Sequence, residues 1–337
     1  MFPPVTEAAQ AAWRRAVDEA ALFDRSDRGR LVLKGGDALD LLHRTTTADL
    51  TGLPIGGFAT TVMQTETGRI LDWLALWRRD NQLLLVTGPG RASDDLAWVD
   101  RMVIMDDVMP ELLDESTRLF ELAGPRAPEV LAATGLAVAT TGEAAIIDGT
   151  IGGISTTVAV ARRGSRPNFW LMMPKEVAET VAGRLEKGGA IRVGADVDDA
   201  MRLERGEPLV GRELTEAANP LEARLDGSIG FQKGCYPGQE VIARMITYKS
   251  LKRRLSLMRL DDPLPSPPAG QSWPLLEGAA AGRITSAAWS FAHGAPLAMG
   301  YLRNDLAVTG TAVTVAGPAG LVTGRVLDFP TEGTRWS

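Results

Sequence analysis

Across 337 residues the chain carries 36 Lys and Arg against 42 Asp and Glu, a net charge of −6, with 45% hydrophobic and 23% charged residues. That size suits two or three domains. The balance excludes general disorder, and it gives no overall attraction to nucleic acid or anionic membranes unless a local basic patch supplies one. One cysteine, Cys235, and two histidines, His43 and His293, exclude an intrachain disulfide, a metal cage built from the cysteines of one chain, and a histidine-rich metal centre.

Met1-Phe2-Pro3-Pro4 opens no basic segment followed by an apolar core, and no apolar run approaches the roughly 18 residues of a membrane-crossing helix, so a cytoplasmic location is expected. Thr6 caps a helix whose apolar positions Ala9, Ala12, Trp13, Ala16, Val17 and Ala20 share one face. Arg30–Lys34 reads as a strand and Asp37–His43 as a short helix after a glycine pair. Strands follow over Gly57–Met63, Arg69–Trp77 and Gln82–Val86, the last two joined by the polar turn Arg78-Arg79-Asp80-Asn81. Ser93 opens a helix to about Val103. Arg118–Ala123 is strand-like and leads through Gly124-Pro125 into a short helix ending at Leu131. Ala145–Ile151, Ser155–Ala161 and Phe169–Met173 read as strands, and Pro174 leads into a helix that stops near Lys187-Gly188-Gly189. Beyond Lys249 the texture changes. Four prolines fall between 263 and 268, and the short β-prone runs Gly282–Ser286, Leu297–Leu302, Ala312–Val315 and Leu321–Phe329 alternate with glycines. That pattern predicts a small β-barrel or sandwich over 250–337, behind a mixed α/β region over 1–249.

The most informative stretch runs from Phe231 to Arg244. Pro237 suits the first turn of a helix carrying Val241, Ile242 and Met245, which places Cys235 just ahead of a helix N-terminus with Lys233 two residues away. Both features favour a thiolate, and Gly234 and Gly238 leave room for close approach. A reactive loop thiol and an inert cysteine buried in a turn are both compatible with these residues. The densest positive run, Lys249-Ser250-Leu251-Lys252-Arg253-Arg254, reads as a solvated linker face or an anion contact.

Lys233-Gly234-Cys235-Tyr236-Pro237-Gly238-Gln239-Glu240 resembles the signature of the YgfZ-type folate-binding proteins, relatives of the aminomethyltransferase (T protein) of the glycine cleavage system. The likeness extends along the chain. Leu22–Ser26, Val32–Ala38, Leu122–Ala127, Arg202-Leu203-Glu204, Asn219–Glu222 and Gly282–Ser286 resemble the family's landmarks in their order. The resemblance implies an α+β, T-protein-like folate-binding fold: two interleaved α/β subdomains around a central channel, with a C-terminal β-barrel. It implies tetrahydrofolate or a derivative as cofactor, and iron–sulfur clients or assembly proteins, including tRNA-modifying enzymes, as partners. Direct nucleic-acid binding is not expected.

By the same resemblance Cys235 would serve redox, cluster-transfer or partner-contact chemistry, and Asp72, Trp73, Trp170, Arg202, Glu204, Asn219 and Glu222 are candidate folate contacts. The glutamate tail of folate or RNA phosphates would be the anions met by Lys249–Arg254. Two departures stand out. The family's paired aspartates are Asp72-Trp73 here, so an indole replaces the catalytic carboxylate, and Trp170 stands where a folate-contacting glutamate belongs. An indole donates a hydrogen bond but is no general base. Glycine-cleavage activity is therefore not expected; a folate-dependent transferase or demethylase acting on a methylated amine is the alternative.

Overall fold

In the computed structural model the structure describes residues 6–136, 138, 146–163, 166–276 and 281–330. Helix α1 (Glu7–Asp18) starts where Thr6 Oγ1 accepts the Ala9 N–H at 3.1 Å, the cap that the sequence suggests. Strands β1 (Ala21–Asp24) and β2 (Arg28–Lys34) precede α2 (Ala38–Thr45). Strands β3 (Phe58–Gln64), β4 (Ile70–Arg79) and β5 (Gln82–Pro89) then form a meander that leads to α3 (Ala92–Met102). Next come β6 (Met109–Leu112), β7 (Thr117–Ala123), α4 (Ala127–Ala133), β8 (Ile146–Ile151), β9 (Ile154–Arg163), β10 (Arg166–Pro174) and α5 (Ala178–Lys187). A short β11 (Ile191–Arg192) and α6 (Ala195–Glu204) lead into a turn-rich segment ahead of α7 (Gln239–Thr247).

These elements build two sheets, and the chain passes back and forth between them. One sheet has the order β3-β4-β5-β2-β6, the other β11-β1-β7-β10-β9-β8. Alternation along the strands gives each sheet two apolar faces. The outer face of the first packs under α2 and α3 through Leu31, Leu33, Leu41, Leu42, Leu74, Leu76 and Trp98. The outer face of the second packs under α4 and α5 through Leu122, Val130, Phe169, Leu171, Val181 and Leu185. The inner faces meet each other. Trp77, Leu84, Val86, Leu119, Ala159, Ala161 and Trp170 form that seam, with Trp77 and Trp170 ring centroids 6.1 Å apart.

The remaining strands, β12 (Arg253–Leu260), β13 (Trp273–Leu275), β14 (Gly282–Ser290), β15 (Ala295–Arg303), β16 (Ala312–Gly317) and β17 (Gly320–Leu327), close into a six-stranded barrel. Its interior is filled by Met258, Leu260, Ile284, Ala298, Leu302 and Val315. Part of its outer wall, through Leu255, Leu257, Leu297, Met299 and Tyr301, packs on Val62, Ile70 and the 203–225 segment. Four of the six barrel strands match the runs read from the sequence. Strands β12 and β13 do not: one opens on a charge run, the other is three residues long and contains a proline.

Candidate functional site

The inner face of β4 carries Trp73, Ala75 and Trp77. Trp73 and Ala75 line a crevice with Thr60, Val86, Trp170 and the Glu207–Val210 segment. Trp73 of β4 and Trp170 of β10, from the two opposed sheets, thus line the same crevice. The Trp73 indole N–H donates to Ser228 Oγ at 2.9 Å, and the Arg28 guanidinium lies 5.5 Å from the Trp170 ring. The aromatic crevice is tight, about 20 Å³, room for little more than a water molecule. It adjoins a polar vestibule of about 220 Å³, with which it shares Arg28, Pro89, Glu207 and Leu209.

Charge in the vestibule is closely balanced. Four arginines (25, 28, 202, 212) face four carboxylates (27, 198, 199, 207). Arg25 donates to Glu121 at 2.7 Å and to both oxygens of Asp198 at 2.5 and 2.9 Å. Burial alone would make Arg25 easier to deprotonate, but Glu121 and Asp198 reverse that and hold its pKa well above the ordinary value. Arg28 is pulled the other way, lowered by burial and by Arg25, with Glu207 at 3.7 Å opposing. These residues were not apparent in the sequence, because only the β1–β7 pairing and the packing of α6 bring Arg25, Glu121 and Asp198 together.

Several expected folate contacts are placed elsewhere. Asp72 points to the opposite face of β4 and is fully buried: Oδ2 accepts the Gly88 N–H at 2.8 Å and Oδ1 the Trp73 N–H at 2.6 Å. It lies beside Asp95 of α3, whose carboxyl is raised well above the usual carboxylate range by burial and by Asp72. Arg202 lines the vestibule, yet its guanidinium is engaged by Asp199, Glu213, Ser286 and the Glu207 carbonyl, tying α6 to the barrel. Glu204 accepts from Trp13 Nε1 at 2.8 Å, Ser290 Oγ at 2.7 Å and Ala292 N–H at 2.9 Å, which is a structural knot. Asn219 and Glu222 cap each other's backbone N–H groups across one helical turn, at 2.9 and 3.2 Å, and Glu222 also pairs with Arg253. His43 takes the Leu50 N–H on Nδ1, and His293 lies exposed in a barrel loop.

The Cys235 loop is anchored from below. Lys233 is buried, and its ammonium donates to the carbonyls of His43, Thr46 and Ala48, the last two at 2.6 and 2.8 Å. Burial pulls its pKa down to about 8, while three carbonyls match the three donors of the charged form. Tyr236 is buried too, with Lys233 Nζ 4.9 Å from its ring centroid. Between these two anchors Gly234 and Cys235 are exposed. The helix begins later than the sequence suggests. Gly238, with φ 77°, is the residue before α7, so Pro237 lies outside the helix, and its carbonyl accepts from the Gln64 side chain at 2.7 Å. Glycine is required at 238: a Cβ there would lie 2.7 Å from the Thr65 carbonyl oxygen. Gln239 reaches back to the Lys233 carbonyl at 3.4 Å, and Glu240 is exposed, 3.9 Å from Arg244. The helix start is thus displaced from Cys235, and the Lys233 ammonium is spent on carbonyls.

Residues 2–233 match the GCVT N-terminal domain family, and residues 253–331 match the glycine cleavage T-protein C-terminal barrel domain. The chain belongs to the glycine cleavage T-protein (GCVT) family, which is aminomethyltransferase-like. Among its relatives, a chloroplastic protein of Arabidopsis thaliana that carries the name transferase is 31% identical over 303 residues, 87% of this chain and 68% of that protein. The aminomethyltransferase of Symbiobacterium thermophilum is 28% identical over 343 residues, 97% of this chain and 90% of the relative. The crystal structure of the glycine cleavage system aminomethyltransferase T from Bartonella henselae superposes with a TM-score of 0.84 at 23% identity, covering all of this chain and 92% of that one. That superposition gives the T-protein-like fold. Among the described residues no group of His, Cys, Asp and Glu is arranged to hold a metal, and no helix is long and apolar enough to cross a membrane.

Proposed function

We propose that this family member binds a reduced folate, tetrahydrofolate or a derivative, in the cleft between its two sheets without acting as a glycine-cleavage aminomethyltransferase. The observation that carries this reading is the wall of β4: Trp73 faces the cleft where the aminomethyltransferase motif has its second aspartate, and Asp72 is turned into the helix layer. The vestibule suits a pteridine with an anionic tail. Asp27, which has no ion-pair partner among the described residues, can accept ring N–H groups, and Arg28 and Arg212 can meet carboxylates. When bound, the folate would supply one-carbon carriage; this chain's residues orient it and present indoles rather than a base.

On the same reading, Cys235 is a contact thiol for iron–sulfur clients or assembly proteins, among them tRNA-modifying enzymes. Its support is the arrangement of the loop, in which Lys233 and Tyr236 are buried and hold an exposed cysteine outward. One thiol holds no cluster alone, so any cluster passed here would take its other ligands from a second chain or a small thiol.

The proposal is tested in two assays. Aminomethylated lipoyl carrier protein with tetrahydrofolate should give background turnover only. In cells lacking the native gene, the Cys235→Ser variant should fail to restore client iron–sulfur enzyme activity that the wild type restores. Robust methylenetetrahydrofolate formation, or tetrahydrofolate-dependent demethylation of an N-methyl amine, would replace the reading with a catalytic one. Full rescue by Cys235→Ser would remove the role of the thiol.

A further inference from the structure

The barrel carries a second concave site that shares no lining residue with the cleft. It has a volume of about 390 Å³, and its lining comprises Lys252, Arg253, Gly282, Arg283, Tyr301 and Arg303. That volume lies within the range of small-ligand sites, and no carboxylate lines it.

The register of three adjacent strands puts these cations together. Arg253 of β12 is directly opposite Arg303 of β15, and Tyr301 of β15 is directly opposite Arg283 of β14. Because side chains alternate with period two, Tyr301 and Arg303 share a face, and their cross-strand partners Arg283 and Arg253 fall on that same face. The guanidiniums of Arg253 and Arg283 lie 5.4 and 5.6 Å from the one Tyr301 ring. Gly282 lets β14 close on β15: with φ 155°, a Cβ there would lie 2.2 Å from the Tyr301 carbonyl oxygen.

Like charges directly opposite on neighbouring strands destabilise a sheet. Part of this charge is answered, since Arg253 pairs with Glu222 at 3.0 Å and Arg303 with exposed Asp305 at 2.6 Å. Arg283 is different. It is half-buried, and no hydrogen bond or ion pair engages its guanidinium among the described residues. Burial and the neighbouring Arg253 weaken its hold on its proton, and Tyr301 and Glu222 oppose them only in part. The arrangement is one that a multiply charged anion would relieve.

We propose that this pocket binds a small ligand bearing adjacent phosphoryl groups. Guanidinium forks are suited to phosphate oxygens, and adjacent phosphoryl groups deliver several negative charges within one small pocket. A carboxylate chain such as oligoglutamate spreads its charge over a greater length.

The test is calorimetric titration of the full chain with pyrophosphate at low salt and at 150 mM salt, with tetra-γ-glutamate and a tRNA in parallel. One pyrophosphate should bind, more weakly at the higher salt, and Arg283→Gln should reduce its affinity at least tenfold without lowering the melting temperature. Should Arg283→Gln fail to fold, Lys252→Gln is the second variant, with a loss of severalfold expected. Absence of pyrophosphate binding, equal binding by the variant, or preference for tetra-γ-glutamate would overturn the proposal. Binding of the tRNA alone would overturn it in favour of a nucleic-acid surface. A folate-binding defect would leave this result unchanged, because the two sites have no lining residue in common.

Discussion

The Cys235 loop and the inter-sheet cleft are built on opposite plans. The loop is compact in sequence: eight consecutive residues, Lys233 to Glu240, contain its anchoring side chains, its thiol and its glycine hinge, although Lys233 itself is held by carbonyls 185 to 190 positions away. The cleft is assembled from afar. Arg25, just after β1, Glu121 of β7, Asn168 of β10 and Asp198 of α6 come together, and their contacts span between 47 and 173 positions of sequence. A local site announces itself as a motif. A site made by topology shows in the sequence only as scattered charges.

The largest effect is expected at Arg25. Arg25→Ala strands the buried Glu121 and the Asp198 carboxylate, and removing one member of a buried ion pair commonly costs about 3–5 kcal/mol. Denaturant titration should register a loss of that size; a loss under 1 kcal/mol would mean that the cleft does not depend on the network. At the loop, Lys233→Met leaves three carbonyls without their donor, and a loss of about 2–3 kcal/mol is expected, together with faster proteolysis between 231 and 238. An unchanged cleavage rate would show that the loop is held by Tyr236 alone.

A finer distinction concerns the two faces of β4. The raised pKa of Asp95 means that the folded state keeps a proton that the unfolded chain releases near the ordinary carboxylate range. Stability from this group is therefore fully present at acid pH and is lost as pH rises through neutrality. Asp95→Asn should flatten that slope, read from denaturant midpoints between pH 5 and pH 8, and leave ligand binding in the cleft unaltered. A changed ligand affinity would mean that the helix side of β4 reaches the site. The smallest effect is expected at Cys235. The side chain is exposed, so Cys235→Ser should shift stability by no more than about 0.5 kcal/mol. A larger loss would make the cysteine part of the fold.

How far the sequence could be read follows the same division. The capped first helix, the β3–β5 meander and four of the six barrel strands carry their signals in consecutive residues, and the motif around Cys235 marked a turn or loop while leaving open whether its cysteine was exposed or buried. What escaped was decided by neighbours. Strand β12 hides behind Arg253 and Arg254, whose charges suit a linker until the barrel register sets Arg253 opposite Arg303 and beside Tyr301, and Arg254 opposite Leu302. Asp72 and Trp73 are adjacent in sequence, yet a strand turns them to opposite faces, so one landmark of the family supplied a cleft residue and a core residue at once. Pro237 reads as a helix start, but the left-handed Gly238 after it delays the helix. Arg202, Glu204 and Glu222 were legible as landmarks and not as the structural ties they form, because their partners lie in α1, the barrel and the turn before it.

Binding of a reduced folate in the cleft can be measured by calorimetric titration of the wild type and Arg28→Gln with tetrahydrofolate, 5-formyltetrahydrofolate and 5-methyltetrahydrofolate at up to millimolar ligand. At least one form should bind the wild type with one site per chain and raise its melting temperature, and Arg28→Gln should bind that form at least tenfold more weakly. Absence of heat and of thermal stabilisation with all three forms would contradict the account.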